Sequence, residues 1–211
     1  MDQALLDLTD GTEDFHEIKS VGRHTVRLPY GIAKLDDGSR LRLAFFDLFG
    51  APALGCQANN LLARALAPHL PEGIGLVVIP EGKSVIAGAA LADALKVPCV
   101  ILRKKDRPMR PAVKHVLYRS VTTKEEQKLH LDADVRRCLE AHRSKKALVF
   151  DDVVSTGGTV AAVAALLAEY GMDVRFGFIF TEGNEWREHI DPAQVAALGT
   201  LPAPVPVTEA A

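Results

Sequence analysis

The sequence is poor in several features that would assign it quickly. It has no apolar run of the roughly 18 residues that a bilayer-spanning helix needs, so no membrane partner is expected. Its three cysteines, Cys56, Cys99 and Cys138, are odd in number and widely spaced, which fits neither a disulfide framework nor a zinc site. Reduced thiols in a cytoplasmic protein are the expectation. The net charge of −2 gives no general attraction to nucleic acid or to an anionic membrane surface. The opening Met1-Asp2-Gln3-Ala4-Leu5-Leu6-Asp7 is acidic and lacks the basic start and apolar block of a secretion signal. There is no internal repeat and no low-complexity segment.

With 211 residues, 48% of them apolar and 25% charged, the chain is long enough for one good core, and one α/β domain over 1–211 is expected. Residues 1–25 are polar without a clear period. Residues 26–30 and 31–35 look extended, Asp36-Asp37-Gly38 signals a turn, and Arg40 to Phe45 alternates polar and apolar as a half-exposed strand does. A small antiparallel piece therefore opens the chain, over about 1–55. Leu61, Leu62, Ala65 and Leu66 share one face of a helix predicted from Gln57 to Leu70.

Beyond it, over about 56–182, strands and helices alternate. Leu76–Ile79, Val97–Leu102, Ala147–Phe150 and Val174–Phe180 read as buried strands. Val85–Leu95, Asp132–His142 and Val160–Tyr170 read as helices, the last ended by Gly171. This rhythm implies a parallel sheet with right-handed crossovers, and in such sheets ligands sit off the carboxyl ends of the strands. The tail Leu201-Pro202-Ala203-Pro204-Val205-Pro206 is expected to be extended and frayed.

Three strand exits matter, and 151–159 is the most informative. Asp151-Asp152-Val153-Val154-Ser155-Thr156-Gly157-Gly158-Thr159 joins a buried strand to an alanine-rich helix. A helix start offers unpaired N–H groups and a favourable dipole to an anion. Gly157 and Gly158 allow close approach of the backbone, and Ser155, Thr156 and Thr159 add hydroxyls. Two aspartates would repel a bare phosphate. They suit a ligand that also carries vicinal hydroxyls or a bound cation, as a phosphorylated sugar does.

The exit Pro80-Glu81-Gly82-Lys83-Ser84 invites a nucleotide-triphosphate reading, but the glycine that the P-loop pattern needs at position 77 is Val77. A tight anion-binding turn with one lysine remains. The third exit, Arg103-Lys104-Lys105-Asp106-Arg107-Pro108-Met109-Arg110, is the most basic stretch of the chain. After it, Val113–Arg119 and Gln127–Leu131 read as a hairpin-like excursion, of a length that is often a lid.

The acidic pair and its hydroxyl- and glycine-rich loop resemble the 5-phosphoribosyl-1-pyrophosphate (PRPP) signature of the type I phosphoribosyltransferases. The resemblance covers about residues 75–182, and the Arg103-Lys104 pair and its spacing look most like adenine phosphoribosyltransferases and their purine-specific relatives. It implies a parallel-sheet fold with a small N-terminal antiparallel hood and a flexible catalytic loop over 106–128. The activity implied is transfer of the 5-phosphoribosyl group from PRPP to a nucleobase, releasing pyrophosphate. Asp151, Asp152 and Lys104 would be catalytic, and Ser155, Thr156, Gly157, Gly158 and Thr159 would hold the 5-phosphate. Glu81, Gly82, Lys83, Arg103 and Lys104 would meet pyrophosphate. Near the last strand's exit, Glu182 could accept a hydrogen bond from the base, and Phe180 or Trp186 could stack on it. Mg²⁺ would be held through PRPP, without an assigned protein ligand, and the chain would form a homodimer that binds no nucleic acid. Hypoxanthine-guanine enzymes usually carry an aspartate where this chain has Ser155, which favours an adenine-type substrate. Orotate or xanthine as the base, and a regulator that senses PRPP without turnover, remain alternatives.

Overall fold

The computed structural model describes residues 4–21, 24–35, 38–47, 55–118 and 126–207. The expected turn residues Asp36-Asp37 and residues 119–125 lie outside the described residues, as does the side chain of Cys56.

In chain order the elements are β1 (Ala4–Asp7), β2 (Phe15–Val21), β3 (His24–Lys34), β4 (Arg40–Ala44), α1 (Gly55–Leu66), β5 (Ile74–Pro80), α2 (Val85–Leu95) and β6 (Cys99–Leu102). They continue with β7 (Ala112–Tyr118), β8 (Gln127–Asp132), α3 (Ala133–Ala141), β9 (Lys146–Val154), α4 (Gly158–Glu169), β10 (Asp173–Glu182), β11 (Val195–Leu201) and β12 (Val205–Pro206). Among the described residues no helix is long and apolar enough to cross a membrane.

The central sheet has the order β11-β10-β9-β5-β6, and every pairing in it is parallel. Successive side chains on a strand point to opposite faces, so a strand buried on both faces feeds two cores. Val77 and Ile79 of β5, with Leu148 and Phe150 of β9, pack with Leu62, Leu66 and Leu91 from α1 and α2. Leu76, Val78, Ala147 and Val149 pack on the other side with Leu139, Val163 and Leu167 from α3 and α4. The apolar runs of these strands thus have a direct cause. Every residue of Leu76–Ile79 and Ala147–Phe150 is buried.

The N-terminal piece is a second sheet, β1-β3-β4-β12, with β2 also paired to β3. It closes over the first core through Leu6, Val26, Leu28, Ala44 and Phe46. It is mostly antiparallel, as expected, but β1 runs parallel to β3. The tail departs from expectation at its end. Val205 pairs with Arg42 and Pro206 with Leu41, which covers the edge that β4 would otherwise leave open.

Gly88 shows how closely α2 is set on the sheet. A Cβ there would lie 2.5 Å from Ile79 Cδ1 and 2.9 Å from Phe150 Cδ1. Alanine should gain up to about 1 kcal/mol of helix propensity but lose about 1–3 kcal/mol to overpacking. Gly88→Ala should therefore be less stable in urea, and a stabilised variant would show that α2 can lift from the sheet.

Candidate active site

The carboxyl ends of β5 and β9 open on a cavity of about 400 Å³. Its wall combines three loops that lie far apart in sequence. Pro80–Lys83 leave β5, Lys104 follows β6, and Asp151–Val160 run from the end of β9 into the first turn of α4. Tyr118 and Gln127 reach in from the two strands of the excursion.

The acidic pair belongs to the strand itself, since β9 runs on to Val154 rather than stopping at Phe150. Asp151 pairs in register with Phe178 of β10, so the backbone carrying it is fixed by the sheet. Burial raises the Asp151 carboxyl well above its ordinary range, and the charge of Asp152 beside it raises it further; the Ser84 hydroxyl opposes this by hydrogen bonding to it. Burial also raises Asp152, while hydrogen bonds and the Lys83 ammonium work against the rise. Ser84 is fully buried at the start of α2, yet its hydroxyl makes no helix cap.

Gly157 adopts φ +81°, in the left-handed region. A Cβ there would sit 3.2 Å from Trp186 Cα and 3.3 Å from its carbonyl oxygen. Glycine is thus required by the backbone of the β10 exit as well as by any ligand. From Gly158 onward the first N–H groups of α4 lack helical partners and lie at the cavity wall.

The cations are distributed differently from expectation. Lys83 pairs with Asp47 of the hood at 3.0 Å and lies 4.7 Å from the centre of the Phe45 ring. Lys104 lines the cavity, and its backbone N–H donates to Glu81 at 2.6 Å. Arg103 does not line the cavity. Its guanidinium donates to Asp132 at 3.1 Å and to the Arg110 carbonyl at 2.8 Å, with both partners of the ion pair buried. Asp132 in turn accepts the Asp134 and Val135 N–H groups and caps α3. Sequence reasoning placed both basic residues on the ligand because it could not see that successive residues leave an edge strand on opposite sides.

The base of the excursion is tied down. Arg103 and His130 exchange backbone hydrogen bonds, Lys114 pairs with Glu169 of α4, and Tyr118, Leu129 and Leu131 are buried in the second core. Within the 106–128 span expected to move, the described part is therefore an anchored hairpin. Phe180 is also placed otherwise than expected. It is fully buried, edge-to-face on Phe46 at 5.0 Å, and does not face the cavity. Trp186 is buried against α4. Tyr118, Gln127 and Ser84 are not legible in the sequence, since a hydroxyl or an amide at a strand or helix end carries no pattern of its own.

Residues 52–196 match the family described as the phosphoribosyl transferase domain. The chain belongs to that family. It is 34% identical over 104 residues to the adenine phosphoribosyltransferase of Pasteurella multocida, covering 49% of this chain and 53% of that one. It is 28% identical over 130 residues to the hypoxanthine/guanine phosphoribosyltransferase of Methanothermus fervidus, covering 62% and 64%. The chain thus spans between half and two thirds of the length of these curated relatives. In fold it is similar to the crystal structure of adenine phosphoribosyltransferase from Thermoanaerobacter pseudethanolicus, with a TM-score of 0.59 at 21% identity over 88% of this chain and 95% of that one. It is also similar to the adenine phosphoribosyl transferase from Trypanosoma brucei in complex with AMP, pyrophosphate and ribose-5-phosphate, with a TM-score of 0.58 at 16% identity over 90% and 87%.

The raised carboxyls have a consequence for stability. Between the ordinary aspartate value of 3.8 and the raised native values, the native state binds more protons than the unfolded chain. Stability is therefore lost as pH rises through that window. The double variant Asp151→Asn, Asp152→Asn should melt higher than wild type at pH 7, with the gain shrinking as pH falls toward 4. Thermal melts across that range check this, and a variant less stable at pH 7 would contradict it.

Proposed function

We propose that this chain transfers the 5-phosphoribosyl group from PRPP to a ring nitrogen of a purine, of the adenine type, releasing pyrophosphate. The observation that carries this reading is the single cavity that joins an acidic pair, a glycine-bounded helix start and Lys104. These three features suit a ribose, a 5-phosphate and a pyrophosphate in turn. Family membership and the adenine-type relatives support it. The ligands of the Trypanosoma brucei structure are the set such a reaction would involve.

In this reading the N–H groups at the start of α4, with Thr156 and Thr159, hold the 5-phosphate. Asp151 and Asp152 accept the ribose hydroxyls and favour positive charge as it develops on the sugar ring. The bond from C1 to the pyrophosphate oxygen breaks as the bond from C1 to the base nitrogen forms, and the base gives up its ring proton. Negative charge grows on the departing pyrophosphate, and Lys104 answers it from the cavity wall. Glu81 and Gly82 shape that side of the cavity, and Glu81 holds the Lys104 backbone. Lys83 reaches the cavity edge while paired to the hood. Arg103, expected to meet pyrophosphate, instead anchors the hairpin through Asp132.

Two carboxylates are hard oxygen donors of the kind Mg²⁺ prefers. Among the described residues no group of three or more His, Cys, Asp and Glu side chains converges on one point. Asp151 and Asp152 would therefore share the ion with oxygens of the ligand. The bound ion would supply charge neutralisation to the diphosphate.

Pyrophosphate release from Mg²⁺-PRPP should be seen with adenine in a panel that also contains hypoxanthine, guanine, xanthine and orotate. Release with none of them would favour a PRPP sensor. Lys104→Ala should lower kcat/KM about 10²–10³-fold while the protein folds normally. Arg103→Ala leaves the buried carboxylate of Asp132 with Arg110 at 3.4 Å and its cap bonds to α3, and should cost about 1–3 kcal/mol in urea unfolding. The opposite pattern, with Arg103 affecting rate alone, would return Arg103 to the ligand.

A further inference from the structure

Of the two lysines that line the cavity, Lys83 is the one held from outside it. Its ammonium lies 3.0 Å from Asp47 Oδ2 and 4.7 Å from the centre of the Phe45 ring, both in the hood segment that follows β4. The backbone on each side is fixed. Phe46, between the two hood residues, packs edge-to-face on Phe180 in the first core. Lys83 stands two residues ahead of α2, which Gly88 sets closely on the sheet. What is left to move is the four-carbon stem of Lys83, whose side chain is 44% exposed against 19% for Asp47. Asp47 is therefore a stationary counter-ion with a mobile charge beside it.

Where that charge rests bears on the departure of product. A cation committed to the diphosphate would hold PRPP and pyrophosphate alike, and such uniform binding lowers KM without raising kcat. It would also delay the exit of pyrophosphate, and product release is a common slow step. A carboxylate already within ion-pair distance offers the ammonium a second partner. As the anion leaves, Lys83 returns to Asp47 and the face of Phe45, so losing the ligand contact costs less. The ammonium also acts inside the cavity from where it stands: burial raises the Asp152 carboxyl, and the Lys83 charge is among the effects opposing that rise.

We propose that Asp47 is a positioning residue for Lys83: it competes with a bound diphosphate for the ammonium, and so weakens the hold of the cavity on PRPP and on departing pyrophosphate. The proposal rests on the phosphoribosyl-transfer reading for the identity of the diphosphate. Lys104 then supplies the standing charge on that side of the cavity, and Lys83 a charge that the hood and the ligand share. The hood thereby takes part in the site through a side chain outside the cavity wall.

The test is calorimetric binding of Mg²⁺-pyrophosphate and of ribose 5-phosphate to wild type, Asp47→Asn, Asp47→Glu, Lys83→Ala and the double variant Asp47→Asn, Lys83→Ala. Asp47→Asn should tighten pyrophosphate about 3- to 5-fold, the worth of one partly exposed ion pair, and leave ribose 5-phosphate unchanged. Asp47→Glu, which keeps the charge, should retain wild-type affinity. The gain should vanish when Lys83 is absent, so the two substitutions are not additive. In turnover with Mg²⁺-PRPP and adenine, Asp47→Asn should lower KM for PRPP without raising kcat. The same gain in the Lys83→Ala background would mean that Asp47 repels the anion directly, and weaker pyrophosphate binding by Asp47→Asn would mean that the pair holds Lys83 ready for the ligand. Either result overturns the proposal, as does an unchanged affinity. Tighter pyrophosphate that depends on Lys83, in a protein that turns over no base, would remove the transferase reading and leave the competition for Lys83 standing.

Discussion

Two carboxyl groups on adjacent residues, both half-buried where a strand of the core meets the cavity, set the constraint on which the rest of the site depends. Burial raises the proton affinity of both carboxyls, and the charge of Asp152 raises that of Asp151 further. Much of the surrounding structure manages that charge. The hydroxyl of Ser84 does not cap α2; it lies within hydrogen-bonding distance of the Pro80 carbonyl at 3.5 Å and acts to lower Asp151. Lys83 lowers Asp152 while itself paired to Asp47 of the hood. The helix start of α4 stands just beyond, supplying positive potential without a side-chain cation. A ligand with hydroxyl donors and a cation would relieve the pair, and a simple anion would not.

A second arrangement isolates this site from the edge of the sheet. Arg103, Asp132 and the N-terminus of α3 form one buried hydrogen-bonded unit. It ties the exit of β6 to the return strand of the hairpin, whose backbone meets Arg103 at His130. Lys104, one residue on, is thereby fixed on the cavity side, with Glu81 accepting its backbone N–H. The two residues of a dibasic pair thus divide the work. One anchors the hairpin and the other faces the ligand.

The central strands and helices were legible because each carries a strong period, and α2 lies where the sequence predicts it, Val85–Leu95. The acidic pair and the loop after it were legible because charge at a buried strand's end has few explanations. What was hidden depends on contacts between distant parts of the chain. β1 and β2 are short and half-exposed, so residues 1–25 showed no period, and β11 follows two short 3₁₀ turns that break the strand–helix rhythm. Arg103 reads as a ligand cation until Asp132, 29 residues later, is seen beside it. Phe180 reads as a base-stacking ring until the hood's Phe46 is seen to cover it. Gly157 adopts a left-handed φ, and its neighbour Trp186 is one that no local pattern reveals.

The central claim is that the raised carboxyl pair meets the ribose and its associated cation. Hydroxyl donors and a cation favour ionised carboxylates, so binding should drive protons off the pair, which titrates as a unit. The direct measurement is calorimetry of Mg²⁺-PRPP binding in buffers of different ionisation enthalpy, which counts the protons exchanged. Wild type should release more protons on binding than the double variant Asp151→Asn, Asp152→Asn, which corrects for protons lost by the ligand itself, and the excess should grow as pH is lowered into the pair's titration range. Equal proton release by both proteins, or net uptake by wild type relative to the variant, would mean that the ligand does not engage these carboxylates.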